Sequence, residues 1–314
     1  MNNPFFTVVI PTYNQAQLLK TCLNSVFKQT FNNYEIIVID NYSNDNTSDI
    51  VRKNNKKIVY KKINNNGVIA KSRNLGIKLS KGKWIAFLDS DDYWDKNKLK
   101  KIYQLISKNS FKVICHSVWT TNKLHKKNKV LTCGPYKKNF YQLLLKHGNR
   151  LNTSATIIEK NFLYKNKILF NEKKSFITAE DYDFFLNIAR KEVNFHFTND
   201  PLGYNYFHDK SASSNLFRHF KAIESVIKHH VFNVQNFSKN KKLLWQDIKY
   251  FIDLKKSIVN VKKVNKIKQS KELLSFLVNR PFSTITYINI LLLKKIKNYL
   301  IYLFYKLKLL LFVN

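Results

Sequence analysis

The sequence has few of the residues that interrupt regular structure. Its 314 residues include only 6 glycines and 5 prolines, which excludes collagen-like and other fibrous repeats rich in glycine or proline. Aromatic residues are abundant, with 24 phenylalanines and 17 tyrosines, whereas a disordered chain carries far fewer. We therefore expect a folded chain that is long enough for one large domain and a smaller one, or for one α/β unit with an appendage.

Cysteine and arginine are also scarce. The three cysteines, Cys22, Cys115 and Cys133, have no CxxC spacing, which argues against structural zinc and a disulfide framework and favours a reducing compartment. Only six of the 55 basic residues are arginines, although the formal net charge is +35. Because sequence readers of nucleic acid rely on the arginine guanidinium, the charge alone does not indicate a nucleic-acid partner.

The acidic residues number only 20, and many of them are clustered. Two short windows hold Asp89, Asp91, Asp92 and Asp95, and then Glu180, Asp181 and Asp183. Clustered carboxylates repel one another unless a cation or a neighbouring base offsets their charge. These windows therefore predict a metal site or a proton-transfer site.

The first ninety residues alternate apolar, β-branched runs with stretches of helical spacing. The runs that predict strands lie at 6–10, 36–39, 58–60 and 84–88. This alternation is typical of an α/β fold with a doubly wound, mostly parallel sheet, in which ligands bind at the carboxyl ends of the strands. Polar segments follow all four runs and mark that edge. Further elements are predicted as strands at 113–119, 155–159 and 194–198, and as a helix at 181–190.

The composition changes after residue 214. The remaining residues contain 20 Lys and Arg against four acids, with one proline and no glycine, which predicts a C-terminal helical extension. Residues 288–313 have an amphipathic pattern with lysines on one face. Such a helix lies on an anionic membrane surface or packs on the preceding domain, because the longest uncharged run, 281–293, is too short to span a bilayer. The predicted domains are 1–215 and 216–314.

The acidic loop after the run at 84–88 has the composition of a cation site. Asp89 and Asp91 are one residue apart, so that they can hold a divalent cation such as Mn²⁺ or Mg²⁺ and leave positions for diphosphate oxygens. A cation that neutralises the diphosphate makes a better leaving group of the nucleotide. The structural alternative is that Asp92 and Asp95 cap the helix that follows.

Five segments together resemble glycosyltransferase family 2. They lie at 8–14, 38–45, 66–76, 87–92 and 180–183, and the resemblance extends over residues 5–215. It implies a GT-A type fold and an inverting transferase that takes a sugar from a nucleotide-diphosphate donor, with a UDP-sugar favoured. It also implies a divalent metal, Mn²⁺ or Mg²⁺, as the cofactor.

The resemblance further implies roles for individual residues. The residues implied to bind the nucleotide sugar are Pro11, Thr12, Tyr13, Asp40, Arg73, Asp89 and Asp91. Asp40 would meet the base, Asp89 would face the ribose, and Asp91 would hold the metal, whereas Arg73 lies in a segment that more often braces the site. His208 resembles the family's closing histidine, and a neutral imidazole is a suitable further ligand for Mn²⁺.

Asp181 matches the general base of the family. Inversion needs a base on the face opposite the leaving nucleotide, where it takes the proton of the acceptor hydroxyl as the oxygen attacks. Trp94 and Glu180 are placed on the acceptor side. The structural alternative is that Glu180 and Asp181 are first-turn acids of a helix capped by Thr178 and stabilised by the helix dipole.

The sequence leaves three hypotheses for the function. The first is a metal-dependent glycosyltransferase that extends a bacterial surface glycan, such as lipopolysaccharide, lipooligosaccharide, capsule or a glycoprotein glycan, at the inner face of the cytoplasmic membrane. Its partners would be a nucleotide-diphosphate sugar, a glycan or lipid-linked glycan acceptor and an anionic membrane surface, with no nucleic acid. The second is a nucleotidyltransferase, although its N-terminal phosphate loop is missing because the first glycine is Gly67. The third is a lysine-rich nucleic-acid-binding protein.

Overall fold

A computed structural model shows how the predicted elements are arranged. It describes residues 3–53, 58–121, 127–208, 211 and 215–261, and further on only scattered positions between 275 and 301. The strands are β1 (Phe6–Thr12), β2 (Tyr34–Asp40), β3 (Ile58–Lys62), β4 (Trp84–Phe87), β5 (Tyr93–Trp94), β6 (Val113–Thr121), β7 (Lys127–Leu131), β8 (Thr156–Glu159) and β9 (Phe195–Tyr206). The helices are α1 (Ala16–Phe27), α2 (Thr47–Arg52), α3 (Ile69–Leu79), α4 (Lys98–Lys108), α5 (Phe140–His147), α6 (Lys160–Lys165), α7 (Glu180–Ala189), α8 (Leu216–His229) and α9 (Lys241–Val261).

The strands form one sheet in the order β3-β2-β1-β4-β8-β6-β9-β5, with β7 paired to β6. Strands β1 to β4 pair in parallel, β8 runs antiparallel between β4 and β6, and β9 returns parallel to β6. The chain steps outward from β1 to β3 and then crosses back to β4 on the other side of β1. This reversal creates a crevice at the carboxyl ends of β1 and β4, where open α/β sheets bind ligands.

All seven predicted strands are present, with ends that differ by a few residues. Strand β9 is longer than predicted, because it continues through a register shift beside Pro201 and pairs with both β6 and β5. Proline is tolerated in a strand at such an irregularity. Two strands were not predicted: β5 has only two residues, and β7 is rich in lysine and asparagine.

Helices cover both faces of the sheet, so the buried strands have apolar side chains on both sides. Along β1, Val8 and Ile10 belong to one hydrophobic cluster, with α1 and α4, whereas Val9 belongs to the other, with α3 and α5 to α9. This alternation follows from the two-residue period of a strand. It explains why the strands read as continuous apolar runs rather than as alternating patterns.

Helix α3 lies unusually close to β1 because of one glycine. A Cβ atom on Gly76 would lie 2.2 Å from Cγ1 of Val9, a distance that no packed pair of carbon atoms adopts. Arg73 lies three residues earlier and therefore on the same face of the helix. The close packing thus fixes the position of Arg73 near the strand ends.

The C-terminal helices share a core with the sheet. Phe220 and Ile227 of α8 and Ile248 and Ile252 of α9 are buried in the same cluster as Phe184 of α7. The hydrophobic core thus continues across residue 215. The division of the chain into two domains at that residue stays a prediction.

The amphipathic helix predicted at 288–313 is only partly described. Its positions 288–289, 292–293 and 295–301 are helical, and the rest of that segment lies outside the described residues. In the part of the chain that the structure describes, no helix has both the length and the apolarity needed to cross a membrane.

Candidate active site

A cavity of about 950 Å³ lies at the carboxyl ends of the parallel strands and continues between α5, α7, α8 and α9. The predicted residues that line it are Pro11, Thr12, Tyr13, Arg73, Asp89, Asp91, Glu180 and Asp181. Segments that are as much as 170 residues apart in sequence therefore meet in one site. The predicted residues outside the lining are Asp40, Trp94 and His208.

His208 nevertheless contacts the acidic loop. Its Nε2 atom lies 3.0 Å from Oδ2 of Asp91, because β9 ends directly beside the loop. Asp92 fixes this arrangement: its buried carboxylate accepts hydrogen bonds from Nδ2 of Asn205 at 2.9 Å and from the backbone N–H of Tyr206 at 3.1 Å. The proposed capping role of Asp92 is therefore wrong, and its carboxylate instead joins the acidic loop to β9.

Asp91 and His208 offer one carboxylate oxygen and one imidazole nitrogen. Among the described residues, no group of three or more His, Cys, Asp or Glu side chains is arranged to hold a metal ion. Burial raises the pKa of Asp91, the negative charge of Asp89 adds to this effect, and the hydrogen bond with His208 opposes it. Positive charge at this position would relieve the repulsion within the loop.

Arg73 joins the acidic loop to the start of α7. Its Nη2 atom donates to Oδ1 of Asp89 and its Nη1 atom donates to Oε1 of Glu180, both at 2.7 Å. The side chain is 4% exposed, and its guanidinium carbon lies 5.3 Å from the ring centroid of Phe170. Burial lowers the pKa of Arg73, but the two carboxylates outweigh it and the net shift is upward. Arg73 is therefore a fixed positive charge that braces two walls of the cavity.

The turn before α7 is held in an uncommon conformation. Thr178 has φ +82°, which is unfavourable for a β-branched residue. Its backbone N–H donates to Oε2 of Glu180, and its carbonyl accepts from Nδ1 of His219 on α8, both at 2.9 Å. Glu180 and Asp181 do lie in the first turn of α7, but Ala179 occupies the N-cap position and no side chain caps the helix. The cap predicted for Thr178 is wrong.

Asp181 occupies the junction between the polar loops and the helices. Its Oδ1 atom accepts from the backbone N–H of Tyr182 at 2.8 Å, and its Oδ2 atom lies 3.4 Å from both Nδ2 of Asn149 and Oγ1 of Thr153. Burial raises the pKa of Asp181 to about 7, the charge of Glu180 adds to this, and Arg73 partly opposes it. A carboxylate with this pKa suits general base catalysis near neutral pH.

Asp40, which the resemblance implies to meet the base, lies outside the lining of this cavity. It is fully buried, its Oδ1 atom accepts from the backbone N–H and the hydroxyl of Ser43 at 2.9 and 2.6 Å, and its Oδ2 atom accepts from the hydroxyl of Tyr60 at 2.5 Å. Both oxygens are thus engaged within the protein. Asn41, the next residue, lines the cavity instead.

Trp94 is also engaged within the protein. Its side chain is 4% exposed, its indole N–H donates to the carbonyl of Ser154 at 2.9 Å, and the ammonium group of Lys98 lies 3.5 Å from its ring centroid. It therefore lies outside the lining of the cavity, and its place on the acceptor side stays a prediction.

Several residues of the site carried no signal in the sequence. Asn149 and Thr153 come from a loop without a recognisable motif, and His219 lies on a helix whose spacing resembles that of any amphipathic helix. They reach the cavity only through tertiary packing. The polar composition of 147–154 is the one feature of the sequence that could have indicated a loop at the site.

The sheet order and the acidic loop at its switch point define an α/β transferase with a GT-A fold. A sequence profile described as Glycosyl transferase family 2 matches residues 7–170. The chain belongs to this family and is a glycosyltransferase. This membership favours the first of the three hypotheses over a nucleotidyltransferase or a nucleic-acid-binding protein.

Individual relatives agree with the family. The UDP-Glc:alpha-D-GlcNAc-diphosphoundecaprenol beta-1,3-glucosyltransferase WfaP of Escherichia coli is 31% identical over 71% of this chain and 85% of its own length. The crystal structure of Staphylococcus aureus TarS 1-349 in complex with UDP-GlcNAc has a TM-score of 0.61 at 22% identity and covers 87% of this chain and 80% of that one.

A second solved structure, the mannosyltransferase PcManGT of Pyrobaculum calidifontis in complex with GDP-Man and Mn²⁺, has a TM-score of 0.58 at 14% identity. It covers 95% of this chain and 88% of that one. At these identities the two solved structures show the fold, and the predicted GT-A type fold is confirmed.

Proposed function

We propose that this glycosyltransferase transfers a sugar, with inversion, from a UDP-sugar to a hydroxyl group of a glycan or lipid-linked glycan. The proposal rests on one observation: the half-buried carboxylate of Asp181 and that of Asp91, which His208 contacts, line a single cavity, and Arg73 joins the two walls that carry them. Separate positions for a base and for a charged leaving group are what an in-line displacement at an anomeric carbon needs.

In the proposed step, the acceptor oxygen attacks the anomeric carbon of the donor. A carbon–oxygen bond to the acceptor forms while the bond to the diphosphate oxygen breaks, and the nucleotide diphosphate leaves. Oδ2 of Asp181 takes the hydroxyl proton, and Asn149 and Thr153 orient this carboxylate. Its raised pKa matches the task, because a base is most effective when its pKa lies near the working pH.

A carboxylate oxygen and an imidazole nitrogen are ligand types that suit Mn²⁺. The carboxylate of Asp91 and the imidazole of His208 lie 3.0 Å apart, which supports their proposed role as ligands of one divalent cation. These two residues would hold the cation, and diphosphate oxygens and water would complete its shell. When bound, the cation supplies Lewis acidity to the leaving diphosphate.

The polar part of the cavity would receive the nucleotide. Pro11 and Thr12 form a buried floor, Tyr13 is 54% exposed beside them, and Asn41 lines the same part of the cavity. The relative from Escherichia coli is named for a UDP-Glc donor, and TarS was solved with UDP-GlcNAc. Both support uridine as the nucleotide.

The proposed location is the inner face of the cytoplasmic membrane. Residues 215–314 carry 20 basic residues against four acids, and an anionic lipid surface attracts such a segment. The relative from Escherichia coli is named for an acceptor linked to diphosphoundecaprenol, a lipid that resides in a membrane.

The experiment is a donor screen that measures nucleotide release. The purified chain is incubated with UDP-, GDP- and other nucleotide sugars, with Mn²⁺, with Mg²⁺ or with EDTA, and with candidate acceptors. We expect metal-dependent release of UDP from at least one UDP-sugar. Release from another nucleotide sugar alone would contradict the uridine assignment, and full activity in EDTA would contradict the cation.

A further inference from the structure

Beyond Asp181 the lining of the cavity changes from mainly polar to mainly apolar side chains. Most of the side chains that α5, α8 and α9 contribute to it are apolar, and six of these form what we call the apolar arm: Leu145, Ile223, Ile227, Ile248, Phe251 and Ile252. Ile223 and Phe251 are half-buried, and the others are buried. The arm belongs to the same cavity as Asp89 and Asp181, so that a bound molecule can extend from the catalytic groups into it.

The side chains of the apolar arm favour a hydrocarbon ligand over a sugar. A sugar presents hydroxyl groups on nearly every carbon, and burying them without hydrogen-bond partners is unfavourable. Sugar subsites therefore need polar side chains, and the six residues of the arm have none. A hydrocarbon chain has no polar groups to satisfy and gains free energy for each methylene group that it buries. Contiguous apolar surface of this kind marks a binding site for an apolar ligand.

A basic rim borders the arm. Lys146, His147 and Lys255 are exposed, and all three line the same cavity. The ring centroid of His147 lies 6.3 Å from that of Phe251, so the rim and the arm are in contact. The two lysines are cationic, and cations beside an apolar channel match an amphiphile with an anionic group next to its hydrocarbon chain.

We infer that the apolar arm binds the hydrocarbon chain of a lipid diphosphate acceptor. The acceptor sugar would lie at Asp181, its diphosphate at the basic rim, and the first part of the lipid chain between α8 and α9. This inference rests on the proposed function, since it names the acceptor for the same site. The acceptor in the printed name of the Escherichia coli relative, a sugar joined through diphosphate to undecaprenol, has this order of groups.

The inference is tested with prenyl diphosphates that carry no sugar. Farnesyl diphosphate and dimethylallyl diphosphate share the same anionic group but differ in chain length. Each is titrated, below its micelle concentration, into the full chain saturated with UDP, so that the donor site is occupied. Because farnesyl diphosphate has two more isoprene units that the apolar arm can bury, and each buried carbon group adds to the affinity, we expect it to bind at least about tenfold more tightly.

Two variants of the apolar arm test whether the prenyl chain binds there. Ile223→Trp fills the arm and Phe251→Ser makes its wall polar, and both positions are half-buried, so that the fold tolerates the change. We expect both variants to lose most of the preference for the longer chain. Leu243→Ser is the matched control, because Leu243 is exposed on α9 and is absent from the lining. The melting temperature and UDP affinity of each variant check its fold.

Three results would overturn the inference. They are equal affinity for the two prenyl diphosphates, a chain-length preference that survives in both arm variants, and displacement of farnesyl diphosphate by a soluble disaccharide such as maltose. The last result would identify the arm as a sugar subsite. Nucleotide release tests the proposed function separately. If the protein releases no nucleotide but still prefers the longer prenyl diphosphate, the inference about the apolar arm stands and the proposed reaction is contradicted.

Discussion

The loops after β1 and β4 and the helices α5 to α9 line one cavity, but they are held in place by different means. Around the loops, hydrogen bonds between polar groups dominate: in the loop after β2, Asp40 accepts from Ser43, and Asp45 accepts from the backbone N–H of Ala16 at the start of α1. Around the helices, apolar packing dominates and the polar contacts join residues that are far apart in sequence. The donor half of the site therefore depends on hydrogen bonds of the strand-end loops, and the helical half depends on packing.

A buried network shows the second kind of contact. The hydroxyl of Tyr141 on α5 lies 3.0 Å from Nδ1 of His230, and Nε2 of His230 lies 3.0 Å from Oδ1 of Asp183 on α7. His230 and Asp183 are 0% and 1% exposed. The network locks α7, and with it Asp181, to the C-terminal helices. Asp181 on α7 is therefore assigned to the helical half of the site.

Arg73 connects the two halves, and its removal should have the largest effect on stability. Arg73→Met leaves the buried carboxylate of Glu180 without its charged partner. Breaking a buried ion pair in this way costs about 3–5 kcal/mol, which a fall in the melting temperature will show. Arg52→Met is the control, because Arg52 is exposed on α2 and we expect a change within about 0.5 kcal/mol. Equal effects of the two variants would show that Arg73 does not brace the cavity.

Loss of His208 should affect only the donor half. We expect His208→Ala to raise the Mn²⁺ concentration for half-maximal activity by about tenfold or more, with little change in melting temperature. His196→Ala, on the same strand but away from the acidic loop, should leave the metal requirement unchanged. An unchanged Mn²⁺ requirement in His208→Ala would show that His208 is not a ligand of the metal.

Gly76 tests the packing that positions Arg73. In Gly76→Ala the new Cβ would meet Val9 at 2.2 Å, so that α3 must move away from β1. Overpacking of this kind costs about 1–3 kcal/mol. The free energy of unfolding, measured with urea, should fall by that amount, and UDP affinity should fall with it. A variant as stable as the parent would mean that α3 shifts without consequence for the site.

The pH dependence of turnover should reflect the ionisation of Asp181, which lies between the two halves of the site. The charged form of Asp181 is the base, and its pKa is raised to about 7 by burial and then by Glu180, against the opposing charge of Arg73. Activity should therefore rise with pH and level off above about pH 7. Glu180→Gln removes the negative neighbour and should move the midpoint to lower pH. A midpoint near the ordinary aspartate value of about 3.9 in the parent chain would contradict the burial of the base.

The contrast between the halves also explains what the sequence could predict. Seven of the nine strands that the structure describes, the acidic loop and the first turn of α7 were predicted, because their residues are close in sequence and follow the two-residue and 3.6-residue periods. The sequence did not indicate that Asp40 and Trp94 are buried outside the cavity lining, since burial depends on packing that a single motif does not specify. Asn149, Thr153 and His219 were missed for the same reason, and the left-handed Thr178 has no sequence signal because glycine is the usual residue there.

The most direct test of the account is Asp181→Asn, measured by turnover and by UDP affinity in the same preparation. The amide keeps the size of the side chain but cannot take a proton. We predict that turnover falls by about 10²–10⁴-fold while the Kd for UDP stays within about threefold of the parent value. Retained turnover, or a parallel loss of UDP affinity, would contradict the assignment of Asp181 as the base and make it a structural acid of α7.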